Sequence, residues 1–257
     1  MLIDSHSHIY DEEFEPVGGA QAIVDSMSAD GLGYLLAVGC DVPSSRQCVE
    51  LAQKYAKVYA TVGVHPYDAD TVTPENISVL RALAGRKKVV AVGEIGLDYH
   101  RPNSDRTGQL AAMSAQYDLA RELELPMIFH MRDSYGDFTE FCKTREFPNG
   151  AVLHCFSSSA EVAEHFVKKG FYISFSGTVT YKNAVNLWRA AEAVPTDRLL
   201  IETDSPYLTP EPIRHGINYP KNVAYVRDKL AELRRVSPEE IEIATAQNAM
   251  KVFGING

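Results

Sequence analysis

Along the chain, short runs of apolar and β-branched residues alternate with longer stretches in which apolar positions recur at three-and-four spacing. The short runs predict strands at 2–8, 33–38, 58–64, 88–94, 126–130, 151–155, 171–176 and 198–202. Several are continuously apolar, as strands covered on both faces must be. Between them Val49, Ala52 and Ala56, then Leu110, Met113, Tyr117 and Ala120, then Val223, Val226, Leu230 and Leu233 each trace one helical stripe. The stretch 183–194, with Trp188, predicts another helix. Thr73-Pro74 and Ser237-Pro238-Glu239-Glu240 read as helix starts, a capping hydroxyl followed by proline, and the second adds a glutamate placed for a capping box. Gly31, Gly85, Gly170 and Gly254 mark helix ends, with Lys168-Lys169 as a solvated end beside Gly170.

About eight strand-helix units fit either a closed barrel or an open doubly wound sheet, and periodicity alone does not separate them. The polar residues do. Ionisable side chains follow apolar strands at His6 and His8, His65, Glu94, His130 and Arg132, His154 and Asp204. Only a closed barrel gathers those C-terminal ends around one mouth, whereas the edges of an open sheet lie too far apart to share an ion. The expected fold is therefore α/β, one (β/α)₈ TIM-type barrel spanning 1–257 as a single domain, with 237–253 as an extra helix.

Asp4-Ser5-His6-Ser7-His8 places two imidazoles at i and i+2, on one face of an extended strand, where both reach the same ion. Imidazole suits zinc and other first-row metals, and carboxylates add affinity for magnesium or manganese. Several imidazoles and carboxylates in one mouth would be costly to bury without a cation. The pattern predicts a metal centre from His6, His8, Glu94, His130, His154 and Asp204. His165, alone on a helical stretch, and Cys155, on the pleat opposite His154, read as structural.

Composition narrows the function classes. At 257 residues and 45% hydrophobic, the chain has material for one large core. A net charge of −9 argues against coating nucleic acid or an anionic membrane, so any nucleic-acid contact must be local. Cys40, Cys48, Cys142 and Cys155 form no C-x-x-C pair and read as free, buried thiols. No basic segment leading into an apolar one follows Met1, and no apolar run approaches ~18 residues. The expectation is a cytoplasmic protein with no membrane attachment and no obligate protein partner.

With these residues placed, the chain closely resembles the TatD family of metal-dependent deoxyribonucleases, a branch of the amidohydrolase superfamily. The resemblance runs end to end and rests on Asp4-Ser5-His6-Ser7-His8, Val62-Gly63-Val64-His65-Pro66, Gly93-Glu94-Ile95-Gly96-Leu97-Asp98, His130-Met131-Arg132, His154-Cys155-Phe156 and Glu202-Thr203-Asp204-Ser205-Pro206-Tyr207-Leu208. It implies two divalent metal ions (magnesium, manganese, zinc or cobalt): His6, His8 and Asp204 on one, His130 and His154 on the second, Glu94 bridging. It also implies phosphodiester hydrolysis of DNA ends or single strands by an activated water, with Asp204 handling its proton. His65 and Arg132 then read as substrate contacts, Arg132 by paired hydrogen bonds to phosphate. The sequence departs from the family pattern at His100 and across Arg214-His215-Gly216-Ile217-Asn218-Tyr219-Pro220, both in loops.

Two other readings use the same residues: hydrolysis of a small amide, lactone or phosphoester, and a metal-containing binding subunit with little catalysis. Arg101, Arg132, Lys182, Arg214 and Lys221 offer a phosphate reader cations near the mouth, and Tyr99, Tyr181 and Tyr207 offer rings on which bases would stack.

Overall fold

The computed structural model describes residues 1–100 and 103–255. Its strands are β1 (Leu2–Ser7), β2 (Leu32–Val38), β3 (Val58–Val62), β4 (Val89–Asp98), β5 (Met127–Arg132), β6 (Ala151–Leu153), β7 (Tyr172–Phe175) and β8 (Leu199–Ile201), parallel and hydrogen-bonded in sequence order. Helices α1 (Gly19–Ser26), α2 (Val42–Lys54), α3 (Pro74–Ala84), α4 (Arg106–Glu122), α5 (Tyr135–Phe141), α6 (Ala160–Lys168), α7 (Val185–Ala193) and α8 (Val223–Arg234) follow the strands in turn, and α9 (Pro238–Phe253) comes last. This is the expected (β/α)₈ barrel.

Closure depends on the segment after β8. The Asp204 N–H donates to the His6 carbonyl at 2.9 Å and the His8 N–H to the Ser205 carbonyl at 2.8 Å, joining the last strand to the first. Thr203 adds two bonds to the buried Asp4 carboxylate, from its N–H at 2.9 Å and its hydroxyl at 2.6 Å. Burial pushes Asp4 up to about 8 against those bonds, which makes it a strut of the seam. The seam sets Asp204 beside His6 and His8, from which it is separated by about three quarters of the chain in sequence.

Alternate strand residues serve two cores. Leu35, Ala60, Phe129, Leu153 and Phe175 face outward onto helix residues such as Met113, Phe138, Phe166 and Leu230. Leu36, Val90, Ile128, Val152, Tyr172 and Leu200 face inward and meet Ala246, Ala249, Val252 and Phe253 of α9. Val90, Ile128 and Tyr172 lie at the starts of their strands, and the end of α9 borders Val89 and Pro126 there, so α9 plugs that end and leaves the other as the open mouth. Its start carries the expected capping box between Ser237 and Glu240, and Thr73 caps α3. Gly254 ends α9 with left-handed backbone, as read. Gly31 lies beyond the end of α1 and leads into β2 instead of terminating a helix.

Most strand ends differ from the sequence reading by a residue or two, and two of them, β4 and β6, bear on the site. β4 runs on to Asp98 because its register slips between Val92 and Ile95 and then pairs Gly96 with His130. At Gly96 φ is +138°, and a Cβ there would lie 2.1 Å from the His130 carbonyl oxygen, so only glycine lets the strands approach this closely. β6 stops at Leu153, two residues before the expected end, and Cys155 has turned to φ 41°. Among the described residues no helix is long and apolar enough to cross a membrane.

Candidate metal centre

Six side chains from β1, β4, β5, the end of β6 and the turn after β8 converge at the mouth. Glu94 is at the middle. Its Oε1 lies 2.7 Å from both His130 Nδ1 and His154 Nε2, and its Oε2 lies 3.2 Å from His6 Nε2 and 3.9 Å from His8 Nε2. Asp204 Oδ1 is 3.3 Å from His8 Nε2 and 3.7 Å from His6 Nε2. Among the described residues five overlapping groups of three could each hold an ion; two of them, His6/His8/Asp204 and Glu94/His130/His154, share no residue and together take up all six side chains, with the ligand atoms of each group within 4.8 Å of one another. Burial opposes ionisation of Glu94, yet His154, His65, His6 and the His130 hydrogen bond hold it well below the usual carboxylate range.

The outer nitrogens of the rings decide what this cluster suits. His8 Nδ1 donates to the Val38 carbonyl at 2.9 Å, His130 Nε2 to Asp98 Oδ2 at 3.1 Å, and His154 Nδ1 to Glu202 Oε1 at 3.2 Å. Each acceptor fixes the proton on the far side of its ring and turns a lone pair inward, the arrangement that accompanies imidazole ligation of metals. His6 is fully buried and its ring stacks on His154 at 3.9 Å; its Nε2 faces Glu94 Oε2 at 3.2 Å outside hydrogen-bond geometry, and its Nδ1 has no hydrogen-bond partner among the described residues. A buried imidazole left this poorly satisfied is costly unless a cation takes one of its nitrogens. The donor set therefore fits divalent metal.

A model of the TatD-related DNase family matches residues 3–254. The chain belongs to the TatD family. It is 39% identical to the uncharacterized metal-dependent hydrolase YabD of Bacillus subtilis, with all of both chains covered. It is 34% identical to the 3'-5' ssDNA/RNA exonuclease TatD of Citrobacter koseri, covering 91% of this chain and 92% of the other. The crystal structure of the TatD homologue YjjV from Escherichia coli superposes with a TM-score of 0.92 at 30% identity, covering 99% and 98% of the two chains. The protein is thus a TatD-family metal-dependent hydrolase.

In this TatD-family barrel the two expected substrate contacts occupy different depths. His65 sits inside the cluster: its Nδ1 accepts the Tyr67 N–H at 3.0 Å, which leaves its proton on Nε2, 3.6 Å from Glu94 Oε1. Burial pulls it down to about 4, so it is a neutral hydrogen-bond donor. Arg132 is exposed on the rim of a mouth cavity of about 350 Å³ shared with His130, His154, Asp204 and Tyr207, and its guanidinium has no ion pair among the described residues. Asp133, its neighbour, pairs instead with His100 at 2.9 Å.

Of the other cations, Lys182 and Arg214 line an adjoining cavity, and Arg101 lies outside the described residues. Lys221 does not face the mouth: it lines a separate apolar hollow with Ile23, Met27 and Tyr219, because the chain has turned outward by Tyr219. Tyr207 is half exposed over His8 at 6.1 Å, its hydroxyl donating to Asp11. The hydroxyl of Tyr99 is held by Asp137.

Four further residues belong to the site. Asp98 and Glu202 stand in motifs already singled out, and strand alternation puts Glu202 on the same pleat as Asp204, a signal available in the sequence. Cys40 is half buried at the end of β2, its sulfur 3.7 Å from both Glu94 Oε2 and His8 Nδ1. Cys155, read from the sequence as structural, lines the mouth cavity and bonds Ser176 at 3.1 Å. All four cysteines are free.

Proposed function

We propose that the chain hydrolyses phosphodiester bonds of nucleic acid at DNA ends or in single strands, with His6, His8 and Asp204 on one divalent cation, His130 and His154 on a second, and Glu94 shared. The carrying observation is that His8, His130 and His154 each have the outer nitrogen tied to an acceptor and the inner one aimed at Glu94 or Asp204. The exonuclease name of a relative covering nine-tenths of the chain supports the substrate class. When bound, two such ions supply Lewis acidity toward a phosphoryl oxygen and lower the pKa of a water; magnesium, manganese, zinc and cobalt all suit this donor set.

The remaining chemistry belongs to the chain. Asp204 takes the proton of the attacking water, since its side chain is 15% exposed whereas that of Glu94 is 4% exposed and locked among imidazoles. Arg132 meets the phosphate at the rim with two parallel hydrogen bonds. His65 presents Nε2–H to an oxygen held near Glu94. The net charge of −9 disfavours wrapping of a duplex, so a single strand or frayed end enters the mouth.

Chelation is expected to abolish turnover of single-stranded DNA, and each of the four metals to restore it to a different degree. The same preparations would be tested on duplex DNA, RNA, a simple phosphodiester and a lactone, with metal content measured throughout. Turnover by metal-free protein would sink the mechanism. Preference for the lactone would establish the small-molecule hydrolase, and tight metal with no turnover of any substrate the binding subunit.

Asp98→Asn and Glu202→Gln test the outer partners. Each is expected to weaken metal affinity by about 10–100-fold, the usual cost of losing a carboxylate that orients a ligating histidine. Calorimetric titration with manganese, beside circular dichroism to confirm the fold, makes the comparison. Wild-type affinity in both variants would reduce these bonds to packing.

A further inference from the structure

We propose that the strand entering the mouth continues into the adjoining cavity, where Tyr181, Lys182 and Arg214 form a subsite for a nucleotide beyond the scissile phosphate. The inference rests on the phosphodiesterase reading of the metal centre. The adjoining cavity, about 590 Å³, is larger than the mouth cavity of about 350 Å³, and the two share Ser157 and Thr178 as walls. The two cavities adjoin across these residues, and in the proposed trough Asp204 lines one part and Arg214 the other. The adjoining cavity falls within the range of cavities that hold small ligands, so it has room for a nucleotide-sized unit.

The walls have the chemistry of a single-strand reader. The Arg214 guanidinium lies over the Tyr181 ring, 4.1 Å from its centroid, and the Tyr181 hydroxyl donates to the Thr209 carbonyl at 3.2 Å. The ring is anchored at one end and covered by a flat cation, a platform that stacks with any base. Lys182 is exposed and has no ion pair among the described residues, so its ammonium is available to phosphate as a point charge. Glu211 lines the same cavity and opposes a polyanion, but it lies 3.7 Å from Arg214, which offsets it and leaves Lys182 in excess.

In a chain of net charge −9, Arg132 at one end of the trough and Lys182 with Arg214 at the other mark a local path for an anion. Stacking requires unpaired bases. The predicted occupant is therefore single-stranded polynucleotide.

Lys182→Ala/Arg214→Ala and Tyr181→Ala would be made in the full chain. Binding of a fluorescein-labelled oligothymidylate is read by anisotropy in EDTA, where turnover is suppressed, and turnover is read with metal on the same oligonucleotide and on bis(4-nitrophenyl) phosphate. The double variant is expected to bind oligothymidylate about 10-fold more weakly, with the salt slope reduced by about 1–2. Tyr181→Ala is expected to lose about 10-fold through stacking. The ratio of oligonucleotide to small-diester kcat/KM should fall by similar factors, through KM.

Wild-type oligonucleotide affinity in folded variants would overturn the subsite, as would equal wild-type affinity for an oligoglutamate peptide. Weakened binding in the variants of a protein that cleaves no diester would support the groove and refute the phosphodiesterase reading. Normal diester cleavage with unaltered binding would refute the groove alone.

Discussion

Replacing Glu94 with glutamine is expected to lower turnover by about 10³-fold or more and to shrink the thermal stabilisation given by added metal, while His165→Ala leaves both at the wild-type level. A carboxylate shared by two cations would keep in place the positive charge that stabilises the transition state, an effect of several kcal/mol, and each 1.36 kcal/mol is about tenfold in rate. Glutamine keeps the shape but offers one neutral oxygen and an NH₂ group. The NH₂ would point donors at nitrogens whose lone pairs already face inward.

The rings have little freedom to adapt, since Val38, Asp98 and Glu202 hold their outer nitrogens. His165 is exposed on α6, where its ring meets Phe166. Because metal binds the folded state, weaker binding appears directly as a smaller metal-dependent shift in Tm. Metal content per chain should be measured on the same samples. A metal-replete Glu94→Gln protein matching His165→Ala in both readouts would eliminate Glu94 as the shared ligand.

The barrel was legible because parallel strands buried on both faces leave continuous apolar runs, and because a capping hydroxyl or a proline announces several helices. The strand-end rule then located the six clustered residues, since only closure places positions as distant as His6 and Asp204 together. What escaped has local causes. The length of β4 depends on a register slip and on the close approach at Gly96, which alternation does not encode. The plugging role of α9 is a tertiary fact; its sequence announces a helix but not the inward-facing residues it covers.

Cys40 carries little signal because no second cysteine stands at C-x-x-C spacing from it, although it lies two residues past β2 much as His154 lies just past β6. Lys221 misled in the opposite way. It is close in sequence to Arg214, but the chain has left the mouth by Tyr219, and linear proximity carries no information about which wall a side chain joins.

Asp204→Asn is expected to cost about 10²–10⁴-fold in turnover, the usual contribution of a general base, with more if metal is also lost. Folding should be little affected. Asp204 sits at φ 57°, a left-handed conformation that asparagine tolerates as well as aspartate, and its tie to the first strand runs from its backbone N–H to the His6 carbonyl. The seam therefore survives while the anion beside His8 Nε2 disappears. Thermal melting checks the first half, and metal analysis with kinetics at saturating metal checks the second. The nearest substitute base is His65, but its Nδ1 lone pair is occupied by the Tyr67 N–H and its Nε2 carries the proton, so it is ready to donate rather than accept. Rescue by His65 would require the ring to leave that bond. Near-normal turnover in folded, metal-replete Asp204→Asn would show that it does so, or that the proton leaves by another group, and would remove Asp204 from the proton-transfer step.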